Sequence, residues 1–199
     1  MEMLLNLRLL RIKKIYLQQW RMHMIKPRRI VTGNNNDGES EIKINTLIEP
    51  DIINGDNIFL ELWNTDGNSI DNKDSIDRTT GPVILSPPKN GTKIRYFSIA
   101  PQDPSISAEE LEQMFALGFK AIGAEHERIN THKHPGMHVT QSIDYIILIS
   151  GSATLILDNE EISINAGDIV VQRGTNHAWT ANGDAPALFI AVLIDSSFK

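Results

Sequence analysis

The chain has 199 residues and no cysteine, which excludes disulfides and thiolate metal sites and leaves the redox state of its compartment unreadable. Long hydrophobic runs are also missing. No stretch reaches the roughly 18 apolar residues that a membrane-spanning helix needs, and no small-residue cleavage site follows a clean apolar core near the start. Positive charge is in short supply: 19 Lys and Arg against 25 Asp and Glu give a net charge of −6 and a pI near 5.5. That balance argues against nucleic acid as the main partner.

What is present is ordinary for a globular protein: 41% hydrophobic and 22% charged residues, in a length that suits one domain with a real core. Charge is unevenly spread. Residues 1–33 hold eight Lys or Arg and one Glu, which leaves a balance of about −13 for the remainder. Residues 1–26 are apolar and basic, with Leu4, Leu7, Leu10 and Leu17 only partly in helical spacing. They read as a non-essential extension of an upstream start, with Met22 or Met24 as the true beginning. A surface-seeking helix or an organelle transit peptide is the weaker alternative to a cytoplasmic protein with such a tail.

Short strands separated by Gly, Asn and Asp turns dominate the chain from residue 28 onward, the pattern of an all-β sandwich or barrel. Arg28–Thr32, residues 41–48, Ile58–Trp63, Pro82–Leu85 and Lys93–Ile99 are the expected N-terminal strands, with a long polar surface loop over 64–81. Residues 107–122 form the one expected helix of the main body. Ser107 and Glu110 make a capping box, and Leu111, Met114, Phe115 and Ile122 give an apolar stripe for packing on the outside of a barrel. His126, His132 and His134 come next in a polar connection and read as solvated or loop-capping histidines, with His134 as the exception, since Pro135 can fix its approach to the barrel.

The stretch from His134 to Asp195 organises the rest. Residues 134–151 read H-P-G-M-H-V-T-Q-S-I-D-Y-I-I-L-I-S-G, and residues 165–179 read N-A-G-D-I-V-V-Q-R-G-T-N-H-A-W. Side chains two apart on a strand share a face. His138, Thr140, Ser142 and Asp144 therefore lie on one face, and Val139, Gln141, Ile143 and Tyr145 on the other. His177 and Trp179 share a face in the second part. Polar groups on the inner face of a small barrel are costly unless paired, ligating or in contact with a ligand, so that face is where function belongs.

These two motifs resemble those of the cupin superfamily, single-domain barrels with a double-stranded β-helix (jelly-roll) fold. Asp144, seven residues before Gly151, stands at the usual Glu position; His138 matches the first His, and Thr140 replaces the second. Gly167, Gly174 and His177 match the second motif, with Gln172 in place of the usual Pro. The resemblance covers residues 28–195 and implies one all-β cupin domain over 28–199 with one or two peripheral helices. It further implies a divalent metal (Fe, Mn, Ni or Zn) held by His138, Asp144 and His177, with open positions for substrate or oxygen. The competing reading keeps the residues without metal: His177 as general base or acid with Asp144 orienting or charging it, and Trp179, Tyr145, Thr140 and Met137 contacting the substrate. Function then divides three ways. The first is an enzyme on a small carboxylated or phenolic metabolite, acting by decarboxylation, isomerisation, dehydration or oxygenation. The others are a non-catalytic small-molecule binding or sensing module and a degenerate structural barrel. A homodimer through edge strands or the apolar outer face is expected in each case.

Overall fold

A computed structural model describes residues 27–67, 72–73 and 76–197. The readings made for residues 1–26 lie outside the described residues. Every strand pairing is antiparallel. β1 (Arg28–Asn34) and β2 (Ser40–Leu47) form a two-stranded hairpin whose turn is closed by the Asn35 side chain, which accepts from the Asp37 and Glu39 amides. The barrel itself is two sheets. A six-stranded sheet runs in the order β3 (Ile52–Asn54), β4 (Asn57–Thr65), β5 (Thr92–Ile99), β11 (Ala187–Asp195), β6 (Ser142–Ser150) and β9 (Ile169–Arg173). A three-stranded sheet runs β10 (His177–Ala181), β7 (Ser152–Leu157) and β8 (Glu161–Asn165).

Alternation along these strands builds the core. On β6, Ser142, Asp144, Ile146 and Leu148 are buried, while Tyr145 and Ile149 are exposed on the opposite face. Ile146, Leu148, Phe189, Ala191 and Leu193 of the larger sheet meet Ala153, Leu155, Ile164 and Trp179 of the smaller one. Phe189 is the centre of that contact. Its ring stacks on Phe97 at 4.7 Å and tilts against Trp179 at 5.3 Å. Gly151 turns the chain between β6 and β7 at φ 83°, where a Cβ would lie 2.7 Å from the Pro186 carbonyl, so only glycine fits.

The helix α1 (Ala108–Ala121) forms where the sequence predicts it. Ser107 accepts from the Glu110 amide, and the Glu110 carboxylate accepts from the Ser107 backbone in return. Its packing differs from the expectation in two ways. Met114 and Leu117 point to solvent, so the apolar stripe is narrower than the spacing suggests. Phe119 turns inward instead and packs with Val83, Leu85, Ile122 and Ala124, and its ring lies 4.9 Å from His138. The helix thus walls the barrel end that holds the histidines.

Two strand assignments change. Ile52–Asn54 adds a short edge strand, and Pro82–Leu85 is no strand at all. Pro82 has no amide to give, and Pro87–Pro88 end the segment. The segment is pinned crosswise instead: the Leu85 amide donates to Ile122 O, and Ile84 O accepts from Lys93 and Arg95 side chains. Part of the polar loop after β4 is tied down as well, since Arg29 bonds the Leu62 carbonyl, Asp77 and Thr79.

Truncating Phe189 to Ala removes the ring that joins the two sheets, with a cost of about 3–5 kcal/mol. Urea unfolding of Phe189→Ala measures this; a cost below about 1 kcal/mol would show that the sheets do not depend on that contact.

Candidate functional site

The inner face of the barrel carries an apolar band and a polar band. The polar band runs across the large sheet through Gln172 on β9, Asp144 on β6, Lys93 and Arg95 on β5, and Glu61 on β4, all under 5% exposed. Register puts Asp144 opposite Gln172 and Leu193, and Leu193 opposite Lys93. Arg95 faces Glu61 across the β4–β5 ladder, at the bulge before Trp63. The guanidinium pairs with Glu61 at 2.6 Å, donates to Ile84 O at 2.7 Å and lies over the Phe59 ring at 5.5 Å. Lys93 lies 3.6 Å from Glu61. Glu127, in the 3-10 turn after α1, joins from the other side through Ser86.

The two motif histidines come together. A backbone bridge pairs them, with the His138 amide donating to His177 O and the His177 amide to His138 O. Their rings lie 4.2 Å apart. The Nδ1 of His138 is 2.9 Å from Gly136 O, and that of His177 is 2.9 Å from Thr175 O. A carbonyl only accepts, so each Nδ1 carries the proton and each Nε2 keeps its lone pair. Gly136 is required for this approach, since a Cβ there would sit 2.7 Å from the Phe115 ring.

Burial decides the charge states. It holds the His138 imidazole down to about 4, with the Arg95 charge adding to the effect, although part of the residue's surface remains accessible. It holds His177 well below its ordinary value, helped by the neighbouring His138. Both are neutral bases near pH 7. Burial pushes Asp144 the other way, to about 6, against the pull of Ser142, Arg95 and Gln172. It also raises Glu127 and Glu61, and lowers Lys93 to about 8.

Asp144 is not brought against the imidazoles. Its neighbours are Ser142, Gln172 at 3.0 Å, and the charges of Arg95 and Glu127. The role of orienting His177 through Nδ1 falls to the Thr175 carbonyl. The expected metal set is likewise incomplete: among the described residues no three His, Asp or Glu side chains converge closely enough to hold an ion. His138, Asp144 and His177 therefore do not fit a metal as a three-ligand set.

The remaining expected contacts divide. Trp179 is buried at the edge of the main core against Phe189, its ring 6.3 Å from His177. Thr140 is buried and hydrogen-bonds Ser142 at 2.7 Å. Met137 is buried among Ile156 and Ala178 in a separate small cluster, which makes it core. Tyr145 lies on the outer face, 42% exposed, and leaves the substrate wall, as strand parity requires. His134 packs edge-on to Phe115, and its Nδ1 accepts from the Gly136 amide, so it caps the loop. A surface recess of about 340 Å³ beside the β7–β8 turn, lined by residues such as Asp158 and Asn176, is separate from this band. Sequence reading missed Lys93, Arg95, Glu61 and Glu127. The one available signal was that Lys93 and Arg95 are two apart on a strand whose other residues are mostly apolar or aromatic.

Residues 124–193 match the family model described as Cupin domain. A 44-residue stretch is 52% identical to the phomopsin biosynthesis cluster protein D of Diaporthe leptostromiformis, covering 22% of this chain and 23% of that protein. A 63-residue stretch is 44% identical to the cupin-domain-containing oxidoreductase virC of Hypocrea virens, covering 30% of this chain and 32% of that protein. These matches span about a quarter to a third of the relatives' length. A Cupin 2 conserved barrel domain protein from Salinispora arenicola aligns in structure with a TM-score of 0.37 at 15% identity, over 72% of this chain and 80% of that one.

The pH dependence of stability follows from Asp144. Its carboxyl is raised from 3.8 to about 6 in the folded state, so its contribution is fully present below pH 3.8 and is lost as pH rises through about 6. Asp144→Asn removes the loss, so the variant should gain about 2–3 kcal/mol over the parent between pH 4 and pH 8. Urea unfolding at both values measures this; a pH-independent difference would show that Asp144 is not buried against its charge.

Proposed function

Since this chain belongs to the cupin superfamily, carrying a cupin domain at residues 124–193, we propose that its barrel binds a small carboxylated or phenolic metabolite. On that metabolite it moves a proton, in a reaction of the isomerase or dehydratase type. The observation that carries this reading is the histidine pair: two neutral imidazoles 4.2 Å apart, each fixed through Nδ1 to a backbone carbonyl, each with a free Nε2 lone pair.

His177 is the base. Its ring orientation is set by Thr175 O before substrate arrives, so no side-chain rotation has to accompany proton transfer. The same burial that keeps it neutral disfavours the imidazolium, so a proton taken from substrate is readily returned. His138, the more accessible of the two, faces the substrate beside it. Asp144 is the acid. A carboxyl near 6 holds a proton at mildly acidic pH while His138, near 4, does not, which separates the two roles. Trp179 supplies a flat wall for a planar substrate. The relatives named oxidoreductases suggest a redox outcome as the runner-up, with Fe, Mn, Ni or Zn as its cofactor; the incomplete ligand set speaks against the metal version.

Deuterium exchange into a panel of small carboxylated and phenolic carbonyl compounds tests the proposal. His177→Ala should slow exchange by about a hundredfold or more, and EDTA should leave the rate unchanged. Loss of exchange on chelation, with recovery on adding Fe, Mn, Ni or Zn, would establish the metal version instead. Absence of exchange with every compound, where binding shifts are still seen, would leave a binding or sensing module.

A homodimer is part of the same proposal. Tyr145, Ile169 and Val171 form an exposed apolar strip on the outer face of β6 and β9 that a second copy would cover. Light scattering should give twice the chain mass at micromolar concentration, and monomer at high concentration would end the expectation.

A further inference from the structure

Lys93 and Arg95 are 3% and 2% exposed, two residues apart on β5, and both aim into the barrel. Both donate to a single acceptor, the carbonyl of Ile84. Two cationic side chains on one neutral backbone oxygen is an unusual use of charge in a low-dielectric interior, where each ion costs several kcal/mol to bury. Glu61 is the only carboxylate in direct contact with either cation among the described residues. The guanidinium is also underused. Its Nε and Nη1 are buried with no hydrogen-bond partner. On the facing elements, Asp144 Oδ1, Gln172 Oε1 and Glu127 Oε2 are buried without partners as well. Buried polar atoms in native proteins are nearly always paired, so these five orphans, with both Glu61 carboxylate oxygens also lacking a hydrogen bond, mark a place built for polar groups that this conformation does not supply.

The group filling that place is a backbone carbonyl from a segment outside both sheets. Residues 82–88 are not in a sheet, and the Ile84 side chain is 45% exposed, so only the carbonyl is engaged. Gly81 precedes the segment at φ 123°, a backbone conformation that side-chain-bearing residues rarely adopt. Val83 and Leu85 seat it against Phe119 and Ile122.

We propose that Lys93 and Arg95 are the recognition site for the carboxylate or phenolate oxygen of the barrel's ligand, and that the Ile84 carbonyl occupies this site as an internal stand-in until ligand displaces it. The site rests on the proton-transfer reading above and deepens it, because it sets an anion-binding group in the same interior as the histidine pair, where the Arg95 charge already acts on His138. The ligand class becomes narrower too. The oxygen goes to the cations, and a neighbouring hydroxyl donates to Asp144 Oδ1, Gln172 Oε1 or Glu127 Oε2, which makes a hydroxylated carboxylic acid or a phenolic acid the best match. Burial of Asp144 and Glu127, which disfavours their ionised forms, favours an anionic guest beside Arg95.

Salicylate, benzoate and benzyl alcohol serve as probes on the full chain, read by calorimetry and by the 15N signals of the Arg95 Nε–H and Lys93 ammonium. Salicylate should bind tightest, benzoate more weakly and benzyl alcohol not measurably, with both nitrogen signals shifting for the two acids. Lys93→Met should weaken salicylate by about tenfold or more. Leu85→Ala, which loosens the seat of the segment without touching the site, should tighten it several-fold even though the fold is weakened. Where Arg95→Gln fails to fold, the nitrogen signals of the parent protein carry the same information. Equal binding of acid and alcohol, or salicylate binding that shifts His177 and Trp179 signals but neither nitrogen, would overturn the anion site and leave the proton-transfer proposal standing. Shifts at both nitrogens with His177→Ala still fully active in exchange would overturn the proton-transfer proposal and leave the anion site. Weaker salicylate binding in Leu85→Ala would show that Ile84 supports the site and does not compete for it.

Discussion

A guanidinium buried on the inner face of the large sheet constrains everything around it. Moving such a charge out of water is expensive, and attraction to one carboxylate repays the cost only when geometry is good and further hydrogen bonds are made. Arg95 meets these terms in part, through Glu61 and the Phe59 ring on β4, the Ile84 carbonyl, and the negative potential of Glu127 and Asp144, while its Nε and Nη1 stay unpaired. Each of those elements is held in turn by something else. Ile84 is set by the seating of Val83 and Leu85 on α1, and Glu127 follows α1 directly in the chain. The helix, the irregular 82–88 segment and the bulged β4–β5 ladder are thus the surroundings one charge requires.

The same charge sets the chemistry of the site. Arg95 disfavours a proton on His138 and partly offsets the burial that raises Asp144. Desolvation acts in opposite senses on an imidazole and a carboxyl, because it penalises whichever form is charged. One dry interior therefore keeps the two imidazoles neutral at pH 7 and holds the Asp144 carboxyl up to about 6. The apolar band beyond is built on the contacts of Phe97, Phe189 and Trp179.

Two positions depart from the cupin motif pattern. Thr140 stands where a second motif histidine would be, and it hydrogen-bonds Ser142. Asp144, a methylene shorter than glutamate, is engaged by Gln172, itself a replacement for proline in the second motif. The two departures are linked across β6 and β9 by register, since Asp144 and Gln172 face each other. Both positions thus carry hydrogen-bonded side-chain pairs, Thr140 with Ser142 and Asp144 with Gln172.

The sequence by itself determined a good deal. Alternation over 142–150 put Asp144 inside, and it also put Tyr145 outside, against its use as a substrate contact. The capping box at Ser107 and Glu110 set the helix, and the glycine turns set the strand ends, because these depend on local backbone preferences that a short window of residues carries. The pairing of His138 with His177 was legible from the motifs. What only the tertiary structure decided is which charges share an interior. Lys93, Arg95, Glu61 and Glu127 are spread over β4, β5 and the turn after α1, none of which stands out when read alone. Pro82–Leu85 reads as a strand until the cations of β5 claim its carbonyl. Long-range electrostatics and packing have no local period, so no pattern along the chain announces them.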